Sequence, residues 1–227
     1  MKKVLSFLLI YCSCLQIVAQ STKYDTLQYS KEHHQNRLIT FKSEPIEKNQ
    51  IIFLGNSITE FGNWQELLHD KTILNRGIAG DNTFGVLKRL NEITEREPNK
   101  LFLKIGINDI SQNIPADVIL ENISAIIVKI KEQSPKTKIF IQSILPTNKN
   151  SKNVFPDAYN KNEVVALINA SLKKTAKKNN ATYIDINSLL KDSNGELDTK
   201  YANTDGLHLN ELGYKTWAEF LKKKKYL

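Results

Sequence analysis

Cysteine is almost missing from this chain of 227 residues: it occurs twice, at Cys12 and Cys14, both inside the first apolar run. A chain processed beyond that run has no thiol, so disulfides are not expected to contribute to the fold. Histidine is also scarce, and the four present (His33, His34, His69 and His208) form no cluster with carboxylates at metal-ligand spacing. The phosphate-cradling fingerprints G-x-G-x-x-G and G-x-x-x-x-G-K-[ST] are both absent. Aromatic residues are not interleaved with the basic ones and no nucleic-acid motif is present, so a DNA or RNA partner is not expected. Nor is there a repeat, a long linker or a low-complexity tract to suggest a second folded unit.

What is present begins with Met1-Lys2-Lys3, an apolar run from Val4 to Val18, and Ala19-Gln20. A basic start, a short apolar middle and a small residue at the exit predict a secretory signal peptide over residues 1–19, with the mature chain starting at Gln20. As a membrane span the run is marginal, because a bilayer requires about 20 apolar residues and Ser6, Ser13 and Gln16 interrupt this one. No stable span is expected after cleavage, and the expected location is secreted or periplasmic. Lipid attachment at Cys14 is the competing reading; Tyr11-Cys12-Ser13 before it is a poor match to the usual apolar-small-small context. Lys plus Arg number 32 against 24 acids, and without Lys2 and Lys3 the balance is 30 against 24, or +6. Much of the excess lies in Lys173-Lys174, Lys177-Lys178 and Lys222 to Lys225, which read as solvated helix faces more simply than as a site for polyanions or acidic glycans.

Residues 20–49 are polar and weakly periodic, with one short helix predicted from about Tyr29 to Phe41 and ended by Pro45; they form a lead-in segment. From residue 50 to residue 227 strand-like and helical patterns alternate. Ile51 to Leu54, Thr72 to Leu74, Leu101 to Ile105, Lys138 to Ile141 and Thr182 to Ile184 are short, rich in β-branched residues and in several cases almost continuously apolar, as strands buried on both faces are. Between them the apolar spacing becomes helical: Phe61, Trp64, Leu68; Val86, Leu90, Ile93; Ile119, Ile123, Ile126, Ile130; Val165, Ile168, Leu172; and finally Tyr214, Trp217, Leu221. This alternation predicts a three-layer α/β/α sandwich around a five-stranded parallel sheet. In such sheets chemistry gathers beyond the carboxyl ends of the strands.

The first strand runs directly into Gly55-Asn56-Ser57-Ile58-Thr59, which puts a serine hydroxyl where strand gives way to helix. Taken alone, Ser57 reads more simply as a helix cap than as a nucleophile. Near the other end, Asp205-Gly206-Leu207-His208 places a carboxylate three residues before a histidine in a loop ahead of the last helix. Such a turn can bring the carboxylate to one ring nitrogen and leave the other to take a proton from Ser57; the alternative is a surface turn capped by Asp205 or Asn210. The other histidines have no comparable setting and read as structural or solvated. Two loops at strand ends add candidate donors for an oxyanion. In Asn75 to Asn82, Gly80 lets a backbone N–H approach a ligand; in Gly106-Ile107-Asn108-Asp109, Asn108 offers a side-chain amide. Each could also be ordinary turn chemistry, with Asp81 or Asn82 capping the next helix.

Taken together and in this order, Gly55-Asn56-Ser57, Gly80, Gly106 to Asp109 and Asp205 to His208 resemble the four blocks of the SGNH (GDSL-like) hydrolases, over roughly residue 50 to the C-terminus. Asn75 to Leu90 and His208 to Tyr214 look most like the catalytic subunits of platelet-activating-factor acetylhydrolase type Ib and their secreted bacterial relatives. The resemblance implies a flavodoxin-like fold and hydrolysis of small acyl esters, commonly acetyl, without metal or organic cofactor. By carry-over, Ser57 is the nucleophile, His208 the base and then the acid, and Asp205 its orienting partner. The backbone N–H groups of Ser57 and Gly80 and the Asn108 side chain form the oxyanion hole. Asn56 departs from the pattern, since many relatives have Asp there. Export would set such an enzyme among acetylated glycans; lysophospholipase or thioesterase activity, and a non-catalytic glycan-binding module, are the alternatives.

Overall fold

The computed structural model describes residues 30–227. The predicted signal peptide, both cysteines and Tyr29 lie outside the described residues. Five strands, β1 Ile51–Gly55, β2 Ile73–Gly77, β3 Lys100–Lys104, β4 Lys138–Gln142 and β5 Thr182–Ile184, form one parallel sheet in the order β2-β1-β3-β4-β5. The helices, in chain order, are α1 Lys31–Ser43, α2 Ser57–Glu60, α3 Trp64–Leu68, α4 Thr83–Lys88, α5 Leu90–Thr94 and α6 Ile107–Ser111. They continue with α7 Ala116–Gln133, α8 Ser151–Val154, α9 Asn162–Lys178, α10 Asn187–Leu190 and α11 Glu211–Lys223. This is the expected α/β sandwich with the flavodoxin-like strand order.

Strand order decides which helix covers which face. The chain moves one way from β1 to β2 and the other way through β3, β4 and β5, so right-handed crossovers put α2 and α3 on one face and α7 and α9 on the other. On the first face Phe53, Phe102 and Phe140, neighbours in register, stack at 4.8 and 4.6 Å between ring centroids. Trp64 of α3 stacks on Phe53 at 4.2 Å, and Trp217 of α11 meets Trp64 edge-on at 4.7 Å. Helices α7 and α9 carry the buried stripes of Ile119, Ile123, Ile126 and Ile130, and of Val165, Ile168 and Leu172.

Two local readings of the sequence are corrected. Asn75 to Gly77 do not belong to the loop after the second strand; they are its last residues. Their polar side chains disguise the strand, but Asn75 Nδ2 donates to the carbonyls of Thr59, Glu60 and Gly62, and Arg76 Nε pairs with Glu92 at 3.0 Å. Gly77 is required where β2 passes beneath α2, since a Cβ there would stand 2.2 Å from the Glu60 backbone nitrogen. The Phe61, Trp64, Leu68 pattern is likewise broken into α2 and α3. Trp64 folds back so that its Nε1 donates to Thr59 O at 2.8 Å, and Phe61, read as a core position, is 54% exposed.

Lys104 lies on the same face as Phe102, 2% exposed, with its ammonium 5.9 Å from the centre of the Trp217 ring. Burial in this apolar setting pushes its pKa down to about 7. Because the folded value lies below the unfolded one, the unfolded chain binds more protons between about pH 7 and pH 10.5, and stability rises with pH across that window. Lys104→Met should therefore be more stable than the wild type at pH 7 and lose this rise. Urea unfolding at pH 7 and pH 10 checks it; equal pH slopes in the two proteins would refute it.

Candidate active site

Ser57 is the first residue of α2, directly beyond β1 at the point where the strand order reverses. Its helix is capped by the residue before it: Asn56 Oδ1 accepts from Ile58 N at 3.1 Å. Ser57 is thus not the cap. An Asn cap serves the helix as an Asp does, so the departure at Asn56 removes a charge and keeps the hydrogen bond. The Ser57 hydroxyl stands 2.9 Å from His208 Nε2. On the other side of the ring, His208 Nδ1 lies 2.7 Å from Asp205 Oδ2. Asp205 Oδ1 accepts from the backbone N–H groups of Leu207 and His208 at 3.0 and 2.9 Å. Turn capping and histidine orientation, alternatives in the sequence, are therefore both performed by one carboxylate. Burial alone would raise the Asp205 pKa, but these hydrogen bonds outweigh it and hold the carboxyl below its ordinary value. Asn210 Oδ1 accepts from Gly213 N at 2.9 Å and caps α11, which fixes where the histidine loop ends.

Gly80 and Asn108 come to the same place. Ile78 to Asp81 form a turn closed by Asp81 N donating to Ile78 O at 3.1 Å, with Gly80 at φ 78°. A positive φ at the third turn position is the type II requirement that favours glycine. Asn82, not Asp81, caps α4 by accepting from Gly85 N at 3.0 Å. Asn108 is in the first turn of α6, not in an open loop, and its Nδ2 donates to Asp81 O at 2.7 Å. A primary amide has two N–H bonds; the second is available to the cleft that Asn108 lines. As the first residue of α2, Ser57 also has a backbone N–H without an intrahelical acceptor.

The neighbouring Asp109 locks these two blocks together. It is fully buried and accepts from Thr83 N at 3.0 Å and Thr83 Oγ1 at 2.5 Å. Burial pushes its pKa up to about 6, against the opposing pull of the Thr83 hydrogen bonds. Sequence reading did not single out Asp109 for this role.

Ser57, Gly80, Asn108 and His208 open onto one cleft of about 510 Å³, and Asp205 stands behind His208. Phe61 and Phe155 flank the imidazole, with ring centroids at 5.0 and 5.4 Å. Neither was read as a site residue: Phe61 fits a helical period, and no motif surrounds Phe155. The remaining histidines take other places. His33 Nε2 meets the Glu60 carboxylate at 2.9 Å, His34 Nε2 lies 3.6 Å from Asp81 Oδ1, and His69 ends α3 in a left-handed conformation. Among the described residues no three His, Cys, Asp or Glu side chains gather as a metal site would need.

This arrangement has groups that acyl transfer uses: a hydroxyl on an imidazole, a carboxylate behind that imidazole, and, lining the same cleft, Gly80 and an Asn108 side-chain amide. Asn108→Ala should lower kcat for ester hydrolysis by roughly 10²–10³ and leave KM within a few-fold, since such a donor acts mainly on charge that develops in the transition state. Steady-state kinetics decide this; a raised KM with unchanged kcat would make Asn108 a substrate-binding residue instead.

Comparison with known proteins follows the same lines. The GDSL-like Lipase/Acylhydrolase family matches residues 53–216, a span containing Ser57, Gly80, Asn108, Asp205 and His208. The alpha1 subunit of human platelet-activating factor acetylhydrolase IB is 27% identical over 171 residues, covering 73% of this chain and 70% of that protein. An arylesterase of Vibrio mimicus is 31% identical over 120 residues, covering 52% of this chain and 56% of its own. A solved structure from Streptococcus pneumonia, named for platelet activating factor, is 28% identical with a TM-score of 0.76, over 94% of this chain and 98% of that one. Sheet order, site geometry and these likenesses agree: the chain belongs to the GDSL-like lipase/acylhydrolase family and is a hydrolase of the esterase type.

Proposed function

We propose that this protein is an exported serine esterase that removes short acyl groups, above all O-acetyl, from carbohydrates through an acyl-enzyme. The observation that carries the reading is the hydrogen-bonded line from Asp205 through His208 to Ser57, opening on the cleft that Gly80 and Asn108 share. In this mechanism Ser57 Oγ attacks the ester carbonyl carbon while His208 Nε2 takes its proton. Asp205 holds the tautomer and stabilises the imidazolium. The tetrahedral oxyanion is met by the N–H groups of Ser57 and Gly80 and by the Asn108 amide. Collapse breaks the bond to the alkoxide, which leaves with the proton from His208. Water, deprotonated by His208, then attacks the acyl-Ser57 carbonyl; collapse expels Ser57 Oγ, which recovers the proton, and the carboxylic acid departs.

A short acyl group is supported by the acetyl hydrolysis in the human relative's name. A sugar as the leaving alcohol is supported by what adjoins the cleft. The alcohol must depart on the His208 side, away from the oxyanion donors. A groove of about 820 Å³ shares Phe61 with the cleft and is lined as well by Asn63, Glu66, Asn203, Glu211 and Lys215, next to the chain on either side of His208. An exposed ring beside amide, carboxylate and ammonium groups suits a ligand with an apolar ring face and many hydroxyls. Export rests on the basic, apolar, small pattern of residues 1–19.

Two outcomes are expected. An active-site serine reagent should label Ser57, and Ser57→Ala should abolish both labelling and hydrolysis of p-nitrophenyl acetate; labelling elsewhere with activity intact would remove the nucleophile assignment. On acetylated sialic acid, xylan and pectin fragments, peptidoglycan fragments and acetylated lipid, acetate release should favour the glycans, with kcat/KM rising from mono- to oligosaccharide. Preference for the lipid, or for long-chain over acetyl esters, would replace this substrate by the lysophospholipase alternative.

A further inference from the structure

Glu60 ends the helix of Ser57, three residues on; it is not among the residues lining the cleft, and its carboxylate reaches the turn that presents Gly80. Its Oε2 accepts from Ala79 N at 2.6 Å. Ala79 is the second residue of that turn, whose entry is also held by Ile78 N donating to Gly55 O at 3.0 Å. In a type II turn the peptide between the second and third residues carries the third residue's N–H, and a rotation of that peptide to the type I arrangement reverses the direction of the N–H. Anchoring the preceding N–H on Glu60, with the Asn108 amide on the Asp81 carbonyl beyond, restrains the Gly80 N–H from both sides.

Glu60 is in turn held from outside the span matched by the family, which begins at residue 53. Helix α1 sends His33 Nε2 to both carboxylate oxygens at 2.9 and 3.0 Å. It also places Arg37 Nε 3.4 Å from Oε1, while Arg37 Nη2 donates to Gly77 O at 3.2 Å. The same helix sets the His34 ring against the Asp81 carboxylate. A helix without an amphipathic stripe, with Phe41 as its one fully buried apolar residue, thus sends His33 and Arg37 to Glu60 and His34 to Asp81, the last residue of the turn.

We propose that Glu60 is a positioning residue for the oxyanion donor at Gly80, and that α1 clamps Glu60 through His33 and Arg37. The proposal rests on the esterase reading above. Glu60→Ala leaves the Ala79 N–H without its acceptor and should lower kcat for p-nitrophenyl acetate by about 10- to 100-fold, part of the cost of losing a donor outright. KM should stay within about 2-fold. Glu60→Gln keeps an oxygen for Ala79 N and should recover most of the rate. Arg37→Ala should cost about 3- to 10-fold in kcat at unchanged KM, and it tests the clamp by itself if Glu60→Ala does not fold. Rates are taken per serine labelled, so that unfolded protein does not count, and each variant is also titrated with a boronic acid, a tetrahedral mimic whose affinity should fall with kcat. Unchanged kcat and boronate affinity per labelled serine in Glu60→Ala, or in Arg37→Ala where Glu60→Ala does not fold, would overturn the proposal. So would a Glu60→Gln no faster than Glu60→Ala. Absence of labelling and turnover in the wild type would instead refute the esterase reading.

Discussion

Arg89 and Asp81 form an ion pair almost wholly withdrawn from water, with Nε 2.8 Å from Oδ2. The same guanidinium donates from Nη2 to the carbonyls of Gly55 and Arg76, each at 3.0 Å. One side chain therefore joins the ends of β1 and β2 to the turn that carries Gly80, and Ser57 follows β1 almost at once. Taking two charges out of water costs several kcal/mol for each, and their attraction offsets this only when geometry is good and the remaining polar atoms are bonded. The pair is better understood as a constraint on geometry than as a source of stability. Its backbone does the same work on the other side, where the Asp81 carbonyl holds the Asn108 amide.

That constraint acts on a frame levelled by the sheet. Register pairs Gly55 with Gly77 on one side and with Lys104 on the other, so the turns after β1, β2 and β3 emerge at one height. The fourth contribution comes from far along the chain: His208 and Ser57 are 151 residues apart and yet hydrogen-bonded. The histidine loop is secured at both ends, by Asn203 N donating to His208 O at 2.8 Å and by the Asn210 cap of α11. Tyr214 of that helix donates to Ile58 O at 2.9 Å, tying α11 to the helix that begins at Ser57. His208 therefore reaches Ser57 through a short chain of bonded elements.

Some of this is legible in the residues. The apolar β-branched runs predict all five strands to within a few residues, because a strand buried on both faces must be apolar almost throughout. Asp205 and His208 are near enough in sequence for a turn to join them, and Ser57 is marked by its place at a strand end. The misreadings share a cause. Asn75 and Arg76 are polar residues inside a strand, bonded to groups brought there by other elements. Phe61 has the right spacing for a core face and the wrong backbone, because Trp64 turns the chain back under α2. Period and polarity report average burial, and a polar residue satisfied by distant partners, or an aromatic kept in the open, defeats both.

By itself, then, the sequence determined the layer architecture, the order of the four blocks and the chemical type of each group, since these depend on local periodicity and on what a serine, a carboxylate, an imidazole or an amide can do. Only the tertiary structure decided which groups meet. That Asn56 and not Ser57 caps α2, that Asp109 holds Thr83 while Arg89 holds Asp81 at the end of the Gly80 turn, and that Glu60 reaches Ala79 are matters of ångströms between side chains and backbone groups. Hydrogen bonds are short-ranged and directional, so their partners are chosen by how helices and strands pack, and no pattern within a single segment encodes that choice.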